Sequence, residues 1–363
     1  MVNSARAAAP APERDRSILV LVQLAGGNDG LNTLVPYTDD HYHRLRPNLG
    51  LQHTELLPIA DHLALHPACA EMHDLFHEGQ LSIVQNVGYP NPNRSHFRSS
   101  EIWETATDSN TFSSTGWLGR YLDNACDGQG ETDHPVAVHV SAETPQAFGA
   151  DLPHSIFGLP PRLPNTGRNR GRQRDPLEIM AAFSPDQAHS DSNQSFLRQT
   201  TMNALVTERR VSEVIRSYRP EATYPGERFA RSLQNVAAMI SAGFSTRVYF
   251  VSLGGFDTHA NQAGTHATLL RNLSRGLATF QADLIARGLQ DQVLTATFSE
   301  FGRRPAENQS GGTDHGTAAP LFVMGSQLRD PIVGQSPNLD LPDRKSDLEH
   351  TTDFRGVYAT LLD

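Results

Sequence analysis

Short apolar runs recur along most of the chain, with amphipathic stretches between them. The first run, Ile18–Leu24 (ILVLVQL), is continuous, which is typical of a strand buried on both faces of a parallel sheet. Similar runs predict further strands at Leu81–Val87, Pro135–Val140, Thr246–Leu253, Leu294–Phe298 and Ala319–Gly325.

The stretches between these strands carry apolar residues at helical spacing. The clearest helix has apolar residues at steps of three and four, namely Leu270, Leu273, Leu277, Phe280 and Leu284. Other helices are predicted over His66–His77, Ser95–Trp103, Gly116–Asn124, Phe196–Tyr218, Arg228–Ala242 and a final segment beginning at Thr352 or Asp353. Alternating strands and helices predict an α/β fold around a mostly parallel sheet.

The length of 363 residues fits one large domain. We predict a disordered lead at residues 1–16 and a single domain over residues 17–363. Between about 151 and 193 the chain is rich in Pro, Gly and Arg, which predicts a loop or lid. The start contains neither a hydrophobic run nor a twin arginine, so the sequence as written predicts a cytoplasmic protein.

Composition and charge exclude several classes of protein. With 40 acidic and 30 basic residues, the net charge of -10 argues against a nucleic-acid or anionic-membrane partner. No apolar run reaches the roughly 18 residues that a membrane span requires. The basic residues are arginines except Lys345, and arginine suits carboxylate, sulfate or phosphate, although a GC-rich genome also explains most of them. Two cysteines, Cys69 and Cys126, form no disulfide framework and leave the redox compartment open.

Groups able to bind a cation follow the predicted strands at their carboxyl ends, where open α/β sheets place ligands. They are Asp29 after the first strand, Asp257 and His259 after the fourth, Glu300 after the fifth, and Asp314 and His315 before the sixth. Like charges gathered in one cleft are unfavourable unless a cation or a shared proton offsets them. We therefore predict these six residues as ligands of a divalent metal: Zn, Mn, Mg or Ca.

The segment YPNPNRSHF offers a candidate nucleophile. Ser95 lies where a loop enters a predicted helix, so the helix dipole and a nearby metal would lower the pKa of its hydroxyl. Arg94 and Arg303 are predicted to stabilise an anion during catalysis. The residues predicted to bind the substrate are Asn28, His96 and Arg304.

Each of these assignments has a structural alternative. Ser95 and Asp29 are equally suited to capping the helices that follow them. One predicted helical face carries histidines beside acidic residues, a pattern typical of a solvated surface; its members are His66, His73 and His77. No role is assigned to His41, His43, His53 and His62.

Seven motifs follow one another along the chain: LAGGNDGLNTLVPY, LALHPA, NPNRSHF, GWLGRYL, GGFDTH, FSEFGRR with GGTDHGTA, and TTDFRGVYA. From Ser17 onward this combination resembles a bacterial family known as domain of unknown function 1501, related to the alkaline phosphatase and sulfatase superfamily. The resemblance implies an alkaline-phosphatase-like, three-layer αβα sandwich with a mostly parallel central sheet. Family members are mostly exported by the twin-arginine route, which implies a periplasmic location if the start is truncated.

The resemblance also implies roles for individual residues. It matches metal ligands at Asp29, Asp257, His259 and His315, and the nucleophile at Ser95. Two features depart from the superfamily: Glu300–Phe301 stands where Asp-His is usual, and His259 follows Asp257 by two positions instead of four. These departures weaken the expectation of two zinc ions and leave one metal, or a carboxylate-rich Mn, Mg or Ca site.

Two classes of function follow. The first is a metal-dependent hydrolase acting on a small anionic phosphate or sulfate ester. The alternative is a non-catalytic, degenerate member of the superfamily that serves as a binding or scaffold protein. A nicotinamide-binding enzyme fits less well, because GGNDG lacks the GxGxxG spacing that admits a pyrophosphate.

Overall fold

A computed structural model describes residues 17–125, 134–141, 143–159 and 192–363. The predicted disordered lead, Cys126 and most of the predicted loop between 151 and 193 lie outside the described residues. The strands in chain order are β1 Ile18–Ala25, β2 Leu34–Val35, β3 Leu57–Ala60, β4 Leu63–Leu65, β5 Leu81–Gly88, β6 Ala137–Val140, β7 Ile156–Gly158, β8 Val248–Gly254, β9 Val293–Phe298, β10 Arg303–Glu307, β11 Thr313–His315, β12 Ala319–Met324, β13 Ile332–Val333 and β14 Thr352–Asp353.

Helices lie between most of these strands. In chain order they are α1 Gly30–Thr33, α2 Asp40–Leu45, α3 Ala70–His77, α4 His96–Thr105, α5 Trp117–Ala125, α6 Ser192–Ser217, α7 Arg228–Ser241, α8 Gln262–Ala286 and α9 Phe354–Leu362. Asp353 caps α9 by accepting a hydrogen bond from the backbone N–H of Arg355, as its position in the sequence predicted. No helix among the described residues is long and apolar enough to cross a membrane.

The central sheet has the strand order β13-β5-β12-β9-β1-β8-β6-β7, with β14 also paired to β5. Strand β1 lies in the middle and pairs in parallel with β8 and β9. Strand β12 runs antiparallel to both of its neighbours, β5 and β9. The remaining pairs within this sheet are parallel, which confirms the predicted mostly parallel α/β sheet.

Both faces of this sheet are covered by helices. On one face, Val20, Val22 and Leu24 of β1 belong to the same buried cluster as apolar residues of α3, α7 and α8. On the other face, Leu19 and Leu21 pack with apolar residues of α4, α5 and α9. Successive β1 side chains therefore enter opposite cores, which explains the continuous apolar run and confirms the three-layer αβα architecture.

Two small sheets lie outside this frame. Strands β2, β4 and β3 form one of them. Strands β10 and β11 form an antiparallel hairpin in which Arg303 pairs with His315. The hairpin places Arg303 and Arg304 beside Asp314 and His315, so that all four residues lie near the carboxyl end of β9.

The helix predicted over His66–His77 is shorter in the structure. A single 3-10 turn, Pro67–Cys69, precedes α3. His66 is buried and accepts a hydrogen bond from the Ala68 backbone N–H at 2.9 Å. Burial lowers the pKa of His66 to about 4, so this histidine is a neutral capping residue and not part of a solvated face.

Candidate metal-binding site

The carboxyl ends of β1, β8 and β9 meet at one edge of the sheet. The loop after β1 begins with Gly26 at φ 114°, and a Cβ there would lie 2.4 Å from the backbone nitrogen of Asp257. This close approach requires glycine, and it holds the loop after β1 against the loop after β8.

Three ligand-type atoms converge beside this contact. Oδ1 of Asp257 lies 3.0 Å from Nε2 of His259 and 3.1 Å from Nε2 of His315. The two Nε2 atoms are 2.9 Å apart. Atoms that share one zinc ion at about 2.0–2.2 Å lie about 3–3.5 Å from one another, so the spacing of this donor triangle fits a single cation.

A third histidine borders the donor triangle. Nε2 of His96 lies 3.5 Å from Oδ2 of Asp257, and its ring centroid is 4.5 Å from that of His315. Donor atoms of His96, Asp257 and His315 all lie within 4.8 Å of one another. His96 was predicted to bind substrate, and the structure adds it to the groups able to hold a cation.

Glu300 lies behind His96. Its Oε1 accepts a 2.7 Å hydrogen bond from the Gly26 backbone N–H and lies 3.1 Å from Nδ1 of His96. A carboxylate on Nδ1 favours the tautomer with its proton there, which leaves the Nε2 lone pair directed at the site. The structure thus gives one oxygen of Glu300 an orienting contact with His96, and the predicted role of Glu300 as a ligand stays a prediction.

The protonation states suit cation binding. Burial raises the pKa of Asp257, but its contacts with Arg303 and the neighbouring histidines outweigh burial and lower that pKa to about 2. Burial lowers the pKa of His315 despite its bond to Asp257. At neutral pH the site therefore contains an ionised carboxylate beside a neutral imidazole, the forms in which both bind metals.

Arg303 was predicted to contact the substrate, and the structure gives it a different position. Its side chain is fully buried, and NH2 donates to Oδ1 of Asp257 at 2.7 Å. The guanidinium also donates to the backbone carbonyls of Gly26, Gly27, Phe256 and Thr313. NH1 also lies 3.5 Å from Nε2 of His259, so every N–H of the guanidinium faces a partner within the protein. Arg303 therefore holds three loops together, positions Asp257 and has no N–H left for a substrate.

Asp29 is also placed differently from the prediction. It is completely buried, and its oxygens accept from NH1 and NH2 of Arg46 at 2.6 and 2.8 Å and from the side chain of Gln262. Burial opposes ionisation, but Arg46 prevails and lowers the pKa of Asp29. Since a guanidinium already neutralises this carboxylate, we do not include Asp29 among the proposed ligands.

Comparison with known families decides which family the chain belongs to. A family model described as "Protein of unknown function (DUF1501)" matches residues 16–360. The chain belongs to the DUF1501 family. No curated protein matches it.

Several solved structures are similar to this DUF1501 chain. The C-terminal periplasmic domain of EcEptC from Escherichia coli is 9% identical, with a TM-score of 0.40 over 87% of this chain and 75% of that one. The lipoteichoic acid synthase LtaP from Listeria monocytogenes is 9% identical, with a TM-score of 0.37 over 91% and 71%. A protein in the alkaline phosphatase superfamily from Vibrio parahaemolyticus is 10% identical, with a TM-score of 0.38 over 91% and 66%. These identities are too low to transfer any site residue.

Ser95 of the DUF1501 chain is exposed at the start of α4, but its side chain makes no capping hydrogen bond. Its backbone N–H donates to Oδ1 of Asn93 at 2.8 Å. The preceding carbonyl, of Arg94, lies 2.9 Å from Nδ1 of His315 and ties this loop to the donor triangle. The predicted capping alternative is therefore not realised, and none of the described residues hydrogen-bonds to this hydroxyl.

Two partly exposed arginines lie along the rim of the site. NH1 of Arg94 is 3.1 Å from Asp347, and Nε of Arg304 is 3.6 Å from the same carboxylate. Asp314 lies beside them, with one oxygen 4.0 Å from Arg304 and the other 3.8 Å from Nδ1 of His259. Asp314 therefore contacts the outer side of His259 and does not join the donor triangle.

Sequence patterns gave no indication of the polar core beneath the site. Asn28 accepts a hydrogen bond from Thr33, lies 3.0 Å from Nε2 of His266, and is completely buried, so it is not exposed to a substrate. Gln262, at the start of α8, links Asp29 to Thr313. Arg46 comes from the end of α2 and also donates to Asn32.

Proposed function

We propose that this DUF1501 chain is a metal-dependent hydrolase of phosphate or sulfate esters. The observation that carries the proposal is the donor triangle of Asp257, His259 and His315, with edges of 2.9, 3.0 and 3.1 Å. One carboxylate and two imidazoles form a donor set suited to Zn or Mn. Such a set suits Mg or Ca less well, because those ions prefer oxygen ligands.

The residues around the triangle have complementary roles in this proposal. A divalent cation bound there would polarise the ester oxygen and favour the ionised form of a nearby hydroxyl. His96 presents Nε2 to the site because Glu300 holds its Nδ1. Arg303 keeps the Asp257 carboxylate in place and ionised.

Ser95 is the proposed nucleophile. It stands between Arg94, whose carbonyl holds His315, and His96, which borders Asp257. Its hydroxyl lies at the amino end of the ten-residue helix α4, where the helix dipole favours an anion. Attack by Oγ on phosphorus or sulfur would form a covalent ester and release the alcohol, and water would later hydrolyse that ester.

The rim arginines supply the proposed recognition of the substrate anion. Arg94 and Arg304 each face Asp347 at separations of 3.1 and 3.6 Å, so their guanidinium groups are only partly neutralised. Both are partly exposed, in contrast to Arg303. A phosphate or sulfate group can therefore bind to these arginines through forked hydrogen bonds without breaking a buried ion pair.

One observation favours the alternative of a non-catalytic binding or scaffold protein. Two carboxylates at this sheet edge already have internal counterions, because Arg46 neutralises Asp29 and Arg303 donates to Asp257 at 2.7 Å. A site stabilised by arginines can keep its structure without a metal. Measurement of bound metal together with turnover distinguishes the two functions.

We expect purified protein to contain a divalent cation and to hydrolyse chromogenic phosphate or sulfate esters. Asp257→Asn and His315→Gln should each lower kcat/KM by about 100-fold or more, since both remove a donor from the triangle. Elemental analysis and chelator-sensitive assays provide the measurements. The control Asp340→Asn alters a well-exposed carboxylate that lies 3.4 Å from His41 and should leave activity unchanged. Metal without turnover would support the scaffold function, and absence of metal from folded, inactive protein would refute the hydrolase.

Glu300→Gln tests the orienting carboxylate separately. The amide oxygen can still accept from Gly26, so we expect the fold to be retained. Loss of the negative charge beside His96 should weaken metal affinity by about 10–100-fold. Competition with a chromogenic chelator measures the metal Kd, and thermal unfolding monitors the fold. An unchanged Kd would show that Glu300 does not act through His96.

A further inference from the structure

A second group of metal-type donor atoms lies on helix α3, away from the donor triangle. His73 and His77 are one helical turn apart, and their Nε2 atoms are 3.0 Å from each other. The rings meet edge to face with their centroids 4.4 Å apart. Residues separated by four positions share one helix face, so this convergence follows directly from the α-helical geometry of the segment.

A third donor comes from another element. The backbone carbonyl of Pro58, in β3, lies 3.0 Å from Nε2 of His73. Two imidazoles from a helix and a carbonyl from a strand therefore face one point. This point joins α3 to the small sheet outside the main core.

The surroundings of His73 allow the metal-binding tautomer. Oδ1 of Asp74 lies 3.8 Å from Nδ1, on the opposite side of the ring from Pro58 and His77. Without an ion, the Pro58 carbonyl accepts a hydrogen bond from Nε2 of His73, so that nitrogen carries the proton. When an ion binds Nε2, the proton can move to Nδ1, on the side of the Asp74 carboxylate. The His73 side chain is 22% exposed, so little of its conformational freedom remains to be lost when an ion binds.

The short contact between the two Nε2 atoms requires either a proton or a cation between them. Two neutral imidazoles with lone pairs 3.0 Å apart repel unless one of them carries a proton on Nε2 or both share a cation. Nitrogen donors of this softness prefer Zn, Ni and Cu, and they discriminate against Mg and Ca.

From this geometry we propose that His73 and His77, with the Pro58 carbonyl, form a surface site for one borderline divalent cation such as Zn²⁺, Ni²⁺ or Cu²⁺. The bound cation links α3 to β3. The site is separate from the proposed active site, and its occupancy does not depend on whether the protein is a hydrolase.

The test uses Ni²⁺ as the probe in calorimetric titration of the full chain. We expect the wild type to bind one more equivalent of Ni²⁺ than the His73→Gln, His77→Gln double variant. Each single variant should weaken the affinity of that equivalent by about tenfold or more, because the second imidazole no longer binds as part of a chelate. Ni²⁺ should also raise the Tm of the wild type more than that of the double variant.

A matched control removes two histidines that do not converge. His41 contacts Asp39 through Nδ1, and His43 contacts the Tyr37 carbonyl through Nε2. His41→Gln, His43→Gln should therefore bind as many Ni²⁺ equivalents as the wild type. Equal stoichiometry in the wild type and in a folded His73→Gln, His77→Gln protein would overturn the proposal. An equal loss in both double variants would also overturn it, since binding would then reflect histidine content alone.

Discussion

Arg303→Met is expected to lower the free energy of unfolding by about 3–5 kcal/mol. The guanidinium is fully buried and donates to Asp257 at 2.7 Å. Its loss also removes a donor from each of several carbonyls, namely those of Gly26, Gly27, Phe256 and Thr313. Methionine fills much of the same volume, so the decrease in the free energy of unfolding reports on the lost hydrogen bonds. Urea unfolding monitored by tryptophan fluorescence measures this free energy.

The neighbouring residue provides a matched control. Arg304 is 23% exposed and lies 3.6–4.0 Å from its two acidic partners, so Arg304→Met should change stability by only about 0.5–1 kcal/mol. Arg303→Lys should recover little of the loss, because an ammonium lacks the planar fork that reaches several carbonyls at once. If Arg303→Met unfolded at the same urea concentration as the wild type, the proposed role in holding the loops together would be refuted.

Much of the fold could be predicted because the central strands carry a strong local signal. Strand β1 is buried on both faces, so its apolar run is uninterrupted and visible without any tertiary information. The same applies to β8. The antiparallel direction of β12 was not visible, since an apolar run has the same composition in either direction. Strands β10 and β11 were missed because their side chains do not alternate in polarity.

The location of the candidate site was also predictable, but the partners of its side chains were not. Asp29, Asp257 and Glu300 were placed at one sheet edge because each directly follows a strand. A carboxylate at such an edge is satisfied equally by a metal, an arginine or a histidine. The partner that a carboxylate contacts depends on residues elsewhere in the chain. Arg46, the partner of Asp29, is 17 positions away, and His96, the partner of Glu300, is 204 positions away.

These partners divide the acidic residues of the site by function. Asp29 is neutralised within the protein, and Glu300 is directed at a histidine. Asp257 alone of these three contacts two imidazoles that also contact each other. The donor triangle is therefore carried by the loop after β8 and the hairpin strand β11, and the loop after β1 supports it from below.

Arg46→Met tests this support and is expected to lower the free energy of unfolding by about 3–5 kcal/mol at neutral pH. The substitution leaves Asp29 completely buried without its counterion. Adding Asp29→Leu should recover much of the loss, because it removes the uncompensated charge as well. Urea unfolding of the two variants and the wild type gives the comparison.

The pH dependence of Arg46→Met identifies the cause of its instability. In the wild type the pKa of Asp29 lies below 3.8, so the stability it contributes is present above that pH and is lost as the pH falls through the lowered pKa. Without Arg46, burial raises the pKa of Asp29. As the pH falls, Asp29 becomes protonated, its buried charge disappears, and the variant regains stability. The stability difference should therefore be largest near pH 7 and should shrink toward about pH 4. A difference that stays constant over this range would show that lost packing, and not the buried charge, destabilises the variant.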